Sequence, residues 1–315
     1  MSYDLITMGR VGVDLYPEQS GVGLEDVTTF AKSLGGSPTN VAVACARLGD
    51  RAAVITKVGD DPFGRYVRRA LGEFGVDASF VGTDPTLRTP LAFCEIHPPD
   101  DFPLLFYREP SAPDLQLRAE ELPMDAIVAA RILWTTGTGL SAEPSRTATL
   151  AALRARRAAD PEALIVHDLD HRPMFWDDPR EAGEQARAAL SYASVAVGNR
   201  EEVAVAVGTD DPDAAADRLL DVGVRIAIVK RGPAGVLVAT RDGRWDIPPV
   251  PVEVVNGLGA GDAFGGALCH GLLAGWSPRR AVALANAAGS FVAGRLACAD
   301  AMPTLADLGD AAVAA

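Results

Sequence analysis

The sequence predicts an α/β fold in which a mostly parallel central sheet is covered by helices on both faces. Three observations carry that reading. Short apolar runs alternate with helix-like stretches along almost the whole chain. Most of those runs are too apolar to leave one face in water, as expected of parallel strands buried on both sides. The helix starts repeat one device, a capping residue followed by proline at the first helical position, where the missing N–H has no intrahelical partner to lose.

In order along the chain, the candidate strands are Leu5–Met8, Ala52–Thr56, Ile132–Thr135, Ala163–His167, Val195–Val197 and Ile226–Val229. The cap–proline pairs are Ser37-Pro38, Asp61-Pro62, Asp178-Pro179, Asp211-Pro212 and Ser277-Pro278. Several of the helices close on a glycine, at Gly49, Gly75 and Gly223, which relieves the left-handed turn at a helix end. Strand followed by capped helix, many times over, specifies βα units and a mostly parallel sheet. Two segments break the rhythm, at about 11–34 and 88–110. They hold strand-like pieces (Val13–Tyr16, Val27–Ser33, Leu91–Ile96, Leu104–Arg108) and no helix. Either they extend the main sheet in antiparallel fashion, or they form a discontinuous β-lid that keeps water from a reacting substrate. With no repeat or long linker, residues 1–315 read as a single domain carrying that lid.

The formal charge of −13 argues against a broad nucleic-acid footprint. An anionic ligand would need local amides, helix ends or single Arg and Lys residues. The four cysteines are scattered without metal-ligand spacing and read as buried thiols of a reducing compartment. No basic-then-apolar leader and no bilayer-length apolar run is apparent. The expectation is a cytoplasmic protein with neither nucleic-acid nor membrane partners.

The most informative stretch is Asn256-Gly257-Leu258-Gly259-Ala260-Gly261-Asp262, which leads into an apolar helical pattern. Gly259 and Gly261 let the backbone turn sharply and approach a ligand. The helix start then directs free N–H groups and a positive dipole end at one point, a site for an anion. A carboxylate beside such a site suits a base that accepts a proton from an attacking hydroxyl; alternatively, Asp262 only caps the helix. The neighbours favour chemistry. Gly35-Gly36 with Asn40 makes a second glycine turn before a helix, Asn199-x-x-Glu202 follows a strand, and Lys230-Arg231-Gly232-Pro233-Ala234-Gly235 follows another. All of these fall at carboxyl ends of strands, where open α/β sheets gather ligands. No Walker A lysine loop or early G-x-G-x-x-G is present.

Gly35-Gly36 with Asn40, and Gly259-Ala260-Gly261-Asp262, resemble the two signatures of the PfkB carbohydrate kinases, over about Leu5 to Thr304. The resemblance implies a ribokinase-like three-layer sandwich with a small β-lid, and ATP and Mg2+ as cofactors. It makes Asp262 the catalytic base and the amides of Gly259, Ala260 and Gly261 the anion hole. It places Mg2+ near Asn199 and Glu202, held through water, the nucleotide near Lys230, Gly232, Gly235 and Asn286, and the sugar near Asp14, Gly36 and Asn40. The run Asp168-Leu169-Asp170-His171-Arg172-Pro173, with Phe106-Tyr107-Arg108-Glu109, looks like the 5-dehydro-2-deoxygluconokinases of inositol breakdown. That likeness adds Phe106, Arg108 and Arg172 to the substrate side, with the two arginines expected to converge on a carboxylate. Fructokinase or 2-keto-3-deoxygluconate kinase activity is the alternative within the family, and a non-catalytic sugar- or nucleotide-binding regulator the alternative outside it. A homodimer joined through the lid is the assembly considered. Where the family carries Asp-Thr ahead of the second signature, this chain has Asn256-Gly257, which leaves a requirement for K+ open.

Overall fold

A computed structural model describes residues 2–309. In chain order the strands are β1 (Leu5–Met8), β2 (Gly12–Pro17), β3 (Phe30–Gly35), β4 (Ala52–Gly59), β5 (Val81–Asp84), β6 (Leu91–Cys94) and β7 (Leu104–Tyr107). They continue as β8 (Ile132–Thr136), β9 (Leu164–Asp168), β10 (Val195–Asn199), β11 (Ile226–Lys230), β12 (Val236–Thr240) and β13 (Gly243–Ile247). The first helices are α1 (Ser37–Arg47), α2 (Pro62–Glu73), α3 (Met124–Ala129), α4 (Ser145–Ala159) and α5 (Pro179–Leu190). The rest are α6 (Arg200–Val207), α7 (Pro212–Val222), α8 (Ala260–Leu273), α9 (Pro278–Ala293) and α10 (Leu305–Leu308).

Nine strands form the main sheet in the order β13-β12-β11-β10-β9-β8-β1-β4-β5. Every pairing from β11 to β5 is parallel, and the two pairings at one edge, β11–β12 and β12–β13, are antiparallel. The uninterrupted apolar strands have a simple cause. Successive residues point to opposite faces, and both faces are covered. Leu5, Val54, Ile132, Trp134, Val166, Val195 and Val197 pack with α1, α2, α8 and α9. Ile6, Ala53, Ile55, Leu133, Ile165 and Ala196 pack with α3 to α7. On the first face α8 lies unusually close to α1: a Cβ added at Gly266 would sit 2.3 Å from the Ala44 methyl carbon. Small residues therefore set the depth at which α8, and the segment leading into it, are seated.

Four of the five cap–proline helix starts form as the sequence predicts, with Asp61, Asp178, Asp211 and Ser277 each accepting a first-turn N–H. The fifth differs. α1 begins at Ser37 itself, with Gly36 as its cap at φ 101°. A side chain there would strike the Arg10 carbonyl oxygen at 2.5 Å, so only glycine lets the chain pass this close to the end of β1.

The rhythm-breaking segments form a second, four-stranded sheet, β3-β2-β6-β7, separate from the main one. They are not an extension of it. The sheet is mixed: β2–β3 and β6–β7 are antiparallel, but β2 and β6 run parallel with Val13 beside Leu91. Its first segment contributes Phe30–Gly35 where the sequence suggests Val27–Ser33, because residues 24–26 turn as a short 3-10 helix. In the main sheet the strand order reverses between β1 and β8. The carboxyl ends of β1, β8, β9, β10 and β11 therefore open onto one crevice, and the second sheet lies across it.

Candidate active site

The crevice holds a cleft of about 350 Å³ walled from three sides. Arg10 comes from just past β1, Arg172 from just past β9, and Asn199, Glu202, Lys230 and Gly232 from the ends of β10 and β11. The second sheet contributes Asp14, Tyr16, Ala92, Cys94, Leu104 and Phe106, and the glycine turns contribute Gly36, Gly257, Gly259 and Gly261. Asn40 and Asp262 stand on facing helices at its floor. Residues scattered over the chain in sequence thus meet in one place.

Asp262 is not a helix cap. Gly259 holds that position at φ 81°, and Asp262 lies in the first turn of α8. Its Oδ2 accepts a hydrogen bond from Asn40 Nδ2 at 2.9 Å. Burial raises its pKa above the ordinary carboxylate value, and the Asn40 bond, the Arg10 charge and Ser37 act in the opposite direction. The result is a fixed carboxylate, more basic than one in water, beside the Ala260 and Gly261 amides, which have no hydrogen-bond partner among the described residues. Gly259 permits that turn because a side chain there would meet Cys298 Sγ at 2.5 Å.

Two arginines of the cleft floor grip one aspartate buried behind it. Arg172 Nη2 lies 3.1 Å from Asp170 Oδ1, and Arg10 Nε lies 3.4 Å from Asp170 Oδ2, which also accepts a bond from Thr138 at 2.9 Å. Burial alone would raise Asp170, but Arg10, Arg172 and Thr138 together hold it below the usual carboxylate range. Asp170 has φ 28°, a left-handed conformation uncommon for a residue with a side chain. Arg10 engages only through Nε; its terminal nitrogens have no protein hydrogen bond among the described residues. Opposite, burial pushes Asp14 up to about 6, against a hydrogen bond from Tyr16 at 3.0 Å and the charge of Arg10.

Asn199 and Glu202 form a reciprocal cap on α6. The Asn199 side chain accepts the Glu202 N–H at 2.9 Å, and Glu202 Oε2 accepts the Asn199 N–H at 2.7 Å. Glu202 Oε1 stays 3.7 Å from Arg172 Nη1. Lys230 is half-buried nearby; desolvation alone would lower its pKa, and Asp168, Glu202, Asp262 and Asp170 raise it instead. Among the described residues no cluster of three or more His, Cys, Asp or Glu side chains is arranged to hold a metal directly. The site fits a cation that keeps several waters and takes its other ligands from phosphate, as Mg2+ does.

Not every residue singled out from the sequence lines the cleft. Arg108 does not meet Arg172 across it. Its Nη2 is bound to both oxygens of Asp114, at 3.0 and 2.8 Å, and that carboxylate is buried. Arg10 stands on the floor in its place. Gly235 and Asn286 lie outside the wall, Asn286 tying its amide to the Pro248 carbonyl at 2.7 Å. Ala260 contributes through its position at the start of α8 rather than as a lining residue. Arg10, Tyr16 and Cys298 are among the lining residues that the sequence reading missed. Arg10 had a usable signal, its place immediately after the first strand. The Tyr16 hydroxyl lies 2.7 Å from Cys298 Sγ across 282 positions of sequence, which leaves no local trace.

A cleft at the point where the strand order reverses, with a carboxylate beside the glycine turn that opens α8, has the form of a small-molecule kinase site. A model described as pfkB family carbohydrate kinase matches residues 2–305, and the chain belongs to that family. It is similar to a 5-dehydro-2-deoxygluconokinase of Geobacillus kaustophilus, 36% identical over 97% of this chain and 92% of the relative. A protein of the same name from Photobacterium profundum is 37% identical over 96% of this chain and 92% of its own length. Among solved structures, a fructokinase from Vibrio cholerae with fructose, ADP and calcium ion superposes with a TM-score of 0.85, at 27% identity and 98% coverage of both chains.

Proposed function

We propose that this carbohydrate kinase transfers the γ-phosphoryl group of ATP to the 6-hydroxyl of 5-dehydro-2-deoxy-D-gluconate, in inositol breakdown. The observation that carries the choice of a sugar acid is the Arg10–Asp170–Arg172 arrangement, in which two guanidiniums line the cleft and the carboxylate that holds them is buried behind. The surplus positive charge, with the free fork of Arg10, matches a substrate carboxylate in a protein otherwise strongly acidic. Both relatives named above carry the name of that activity.

In this reading Asp14, Gly36, Asn40 and Phe106 hold the sugar under the second sheet, which serves as a lid. Asp262 accepts the proton of the attacking hydroxyl while the amides of Gly259, Ala260 and Gly261 offset charge developing on the phosphoryl oxygens. Lys230 and Gly232 border the nucleotide, with Gly235 closing the turn behind Gly232 and Asn286 securing the segment that backs it. Glu202 and Asn199 are the residues that would orient the waters of a bound Mg2+, which would offset the charge of the ATP phosphates. Phosphorus–proton correlation NMR of the product tests the reaction directly. Phosphate coupled to the C6 protons is the expected result, and phosphate at another carbon overturns the assignment.

Glu202→Gln preserves an acceptor for the α6 cap but removes the charge. It is expected to raise the Mg2+ concentration for half-maximal rate by about tenfold or more, with the sugar KM little changed. An unaltered Mg2+ dependence would assign Glu202 to the cap alone. A second copy of the chain is the partner proposed for the outer face of the second sheet. There Phe30, Leu105 and Tyr107 are exposed, with Phe93 packed edge-on between Phe30 and Tyr107 at 5.4 Å from each. Leu105→Glu is expected to turn a dimer into a monomer by sedimentation; a monomeric wild type rules the contact out.

A further inference from the structure

Asn256 is a fully buried polar side chain that does not line the cleft, yet it sits at the root of the glycine turn that opens α8. Its backbone N–H and that of Val255 both donate to the Ala293 carbonyl at the end of α9, at 3.1 and 2.9 Å. Its Oδ1 accepts the Leu258 N–H at 3.0 Å, fixing the turn that leads to Gly259. Its Nδ2 donates to the Leu296 carbonyl at 2.6 Å. Two residues further along that second segment, Cys298 packs so tightly on Gly259 that a side chain there would clash. The turn carrying the amides of Ala260 and Gly261 is thus pinned to residues 296–298 at two points, one polar and one steric.

This is where a family member with Asp-Thr ahead of the signature would use a monovalent cation, and the residues present do not fit one. An N–H donor, carrying partial positive charge, already points at the Leu296 carbonyl. Asn256 Oδ1 is taken by Leu258, and Gly257 has no side chain to offer. We propose that the Asn256 amide does the bridging work of a cation in this chain. It is a positioning residue that holds the anion-binding turn, so phosphoryl transfer proceeds without K+. Such a strut matters because stabilisation of a developing charge depends on donors already fixed in place.

The test compares initial rates in potassium chloride and in tetramethylammonium chloride at equal ionic strength, with whichever sugar the enzyme turns over. A failure of the sugar-acid reading therefore leaves this test standing. Wild-type kcat is expected to agree between the two salts within about twofold, and K+ activation of about tenfold or more would overturn the proposal. Asn256→Asp keeps the shape but turns the donor into an oxygen facing the Leu296 carbonyl. Without K+ its kcat is expected to fall by about tenfold or more, and K+ is expected to restore part of the loss. Wild-type kcat in that variant without K+ would show that the amide has no such role. If Asn256→Asp does not fold, Asn256→Ser decides the same point. A lower kcat with unchanged ATP affinity by calorimetry supports the strut, and a wild-type kcat contradicts it.

Discussion

Asp262→Asn is expected to lower kcat by about 10²- to 10⁴-fold, the range for removing a general base, while folding and ATP affinity stay near wild type. The expectation of intact binding follows from the geometry. The amides that would hold phosphate belong to the turn and the first residues of α8, which Gly259 and the close seating of α8 on α1 fix independently of the carboxylate. Asparagine has the same shape, and its amide oxygen can still accept from Asn40. What is lost is the capacity to take a proton. The pH dependence carries the same information with a definite sign. Burial raises the Asp262 pKa, so the ionised, active form is depleted as pH falls through a value above the ordinary 3.8. The acid limb of kcat/KM in wild type therefore lies above that of a solvated carboxylate, and the residual rate of Asp262→Asn should lack the limb contributed by this group. A kcat within about threefold of wild type would remove Asp262 from the base role.

Arg10→Met should be nearly as damaging, but selectively. Losing one charge-assisted contact to a substrate carboxylate costs about 1.5–3 kcal/mol, or roughly 10- to 150-fold in kcat/KM. The loss should appear with the sugar acid and be small with fructose, which has no carboxylate. Arg172→Met should show the same selectivity, with an added cost because Arg172 also holds Asp170 and approaches Glu202. Arg10 has a second effect that separates it from a merely structural arginine. Its charge lowers the pKa values of Asp14, Asp170 and Asp262, which face it from β2, the end of β9 and α8. Removing it raises all three, so the acid limb of kcat/KM should move to higher pH in Arg10→Met. Arg108→Met, with its guanidinium committed to Asp114, should leave the ratio of the two substrates unchanged. Equal losses for acid and fructose in Arg10→Met, with no movement of the limb, would make Arg10 a scaffold residue.

Most of the parallel sheet was legible in the sequence because its strands are buried on both faces and so read as unbroken apolar runs. The helix starts were legible because capping is local chemistry, decided within four residues. The β12–β13 hairpin was not. Its second strand alternates exposed and buried residues, and it turns at Arg241-Asp242 between Thr240 and Gly243, a weaker signal than a buried run. The separate small sheet was half legible: its strands appear as strand-like pieces, but nothing local says that β2 pairs in parallel with β6 or that the sheet stands apart from the main one. At the site, the glycine turns, Asp262, Asn40, Asn199, Glu202 and Lys230 were found because each is marked by its place at a strand end or helix start. Arg108 misled because its strand was read without its partner. Asp114 lies six residues on, in a short 3-10 helix, and fixes the side chain away from the cleft. Cys298, Tyr16 and the Asn256–Leu296 bridge join segments far apart in the chain, which only the folded structure brings together.

The most direct test of the sugar-acid assignment is the ratio of kcat/KM for 5-dehydro-2-deoxy-D-gluconate to that for fructose in the wild-type enzyme, measured by coupled ADP release with saturating ATP and Mg2+. Two guanidiniums on the cleft floor predict a preference for the acid of about tenfold or more. A ratio of one, or a preference for fructose, would contradict the account and make the protein a kinase of neutral sugars.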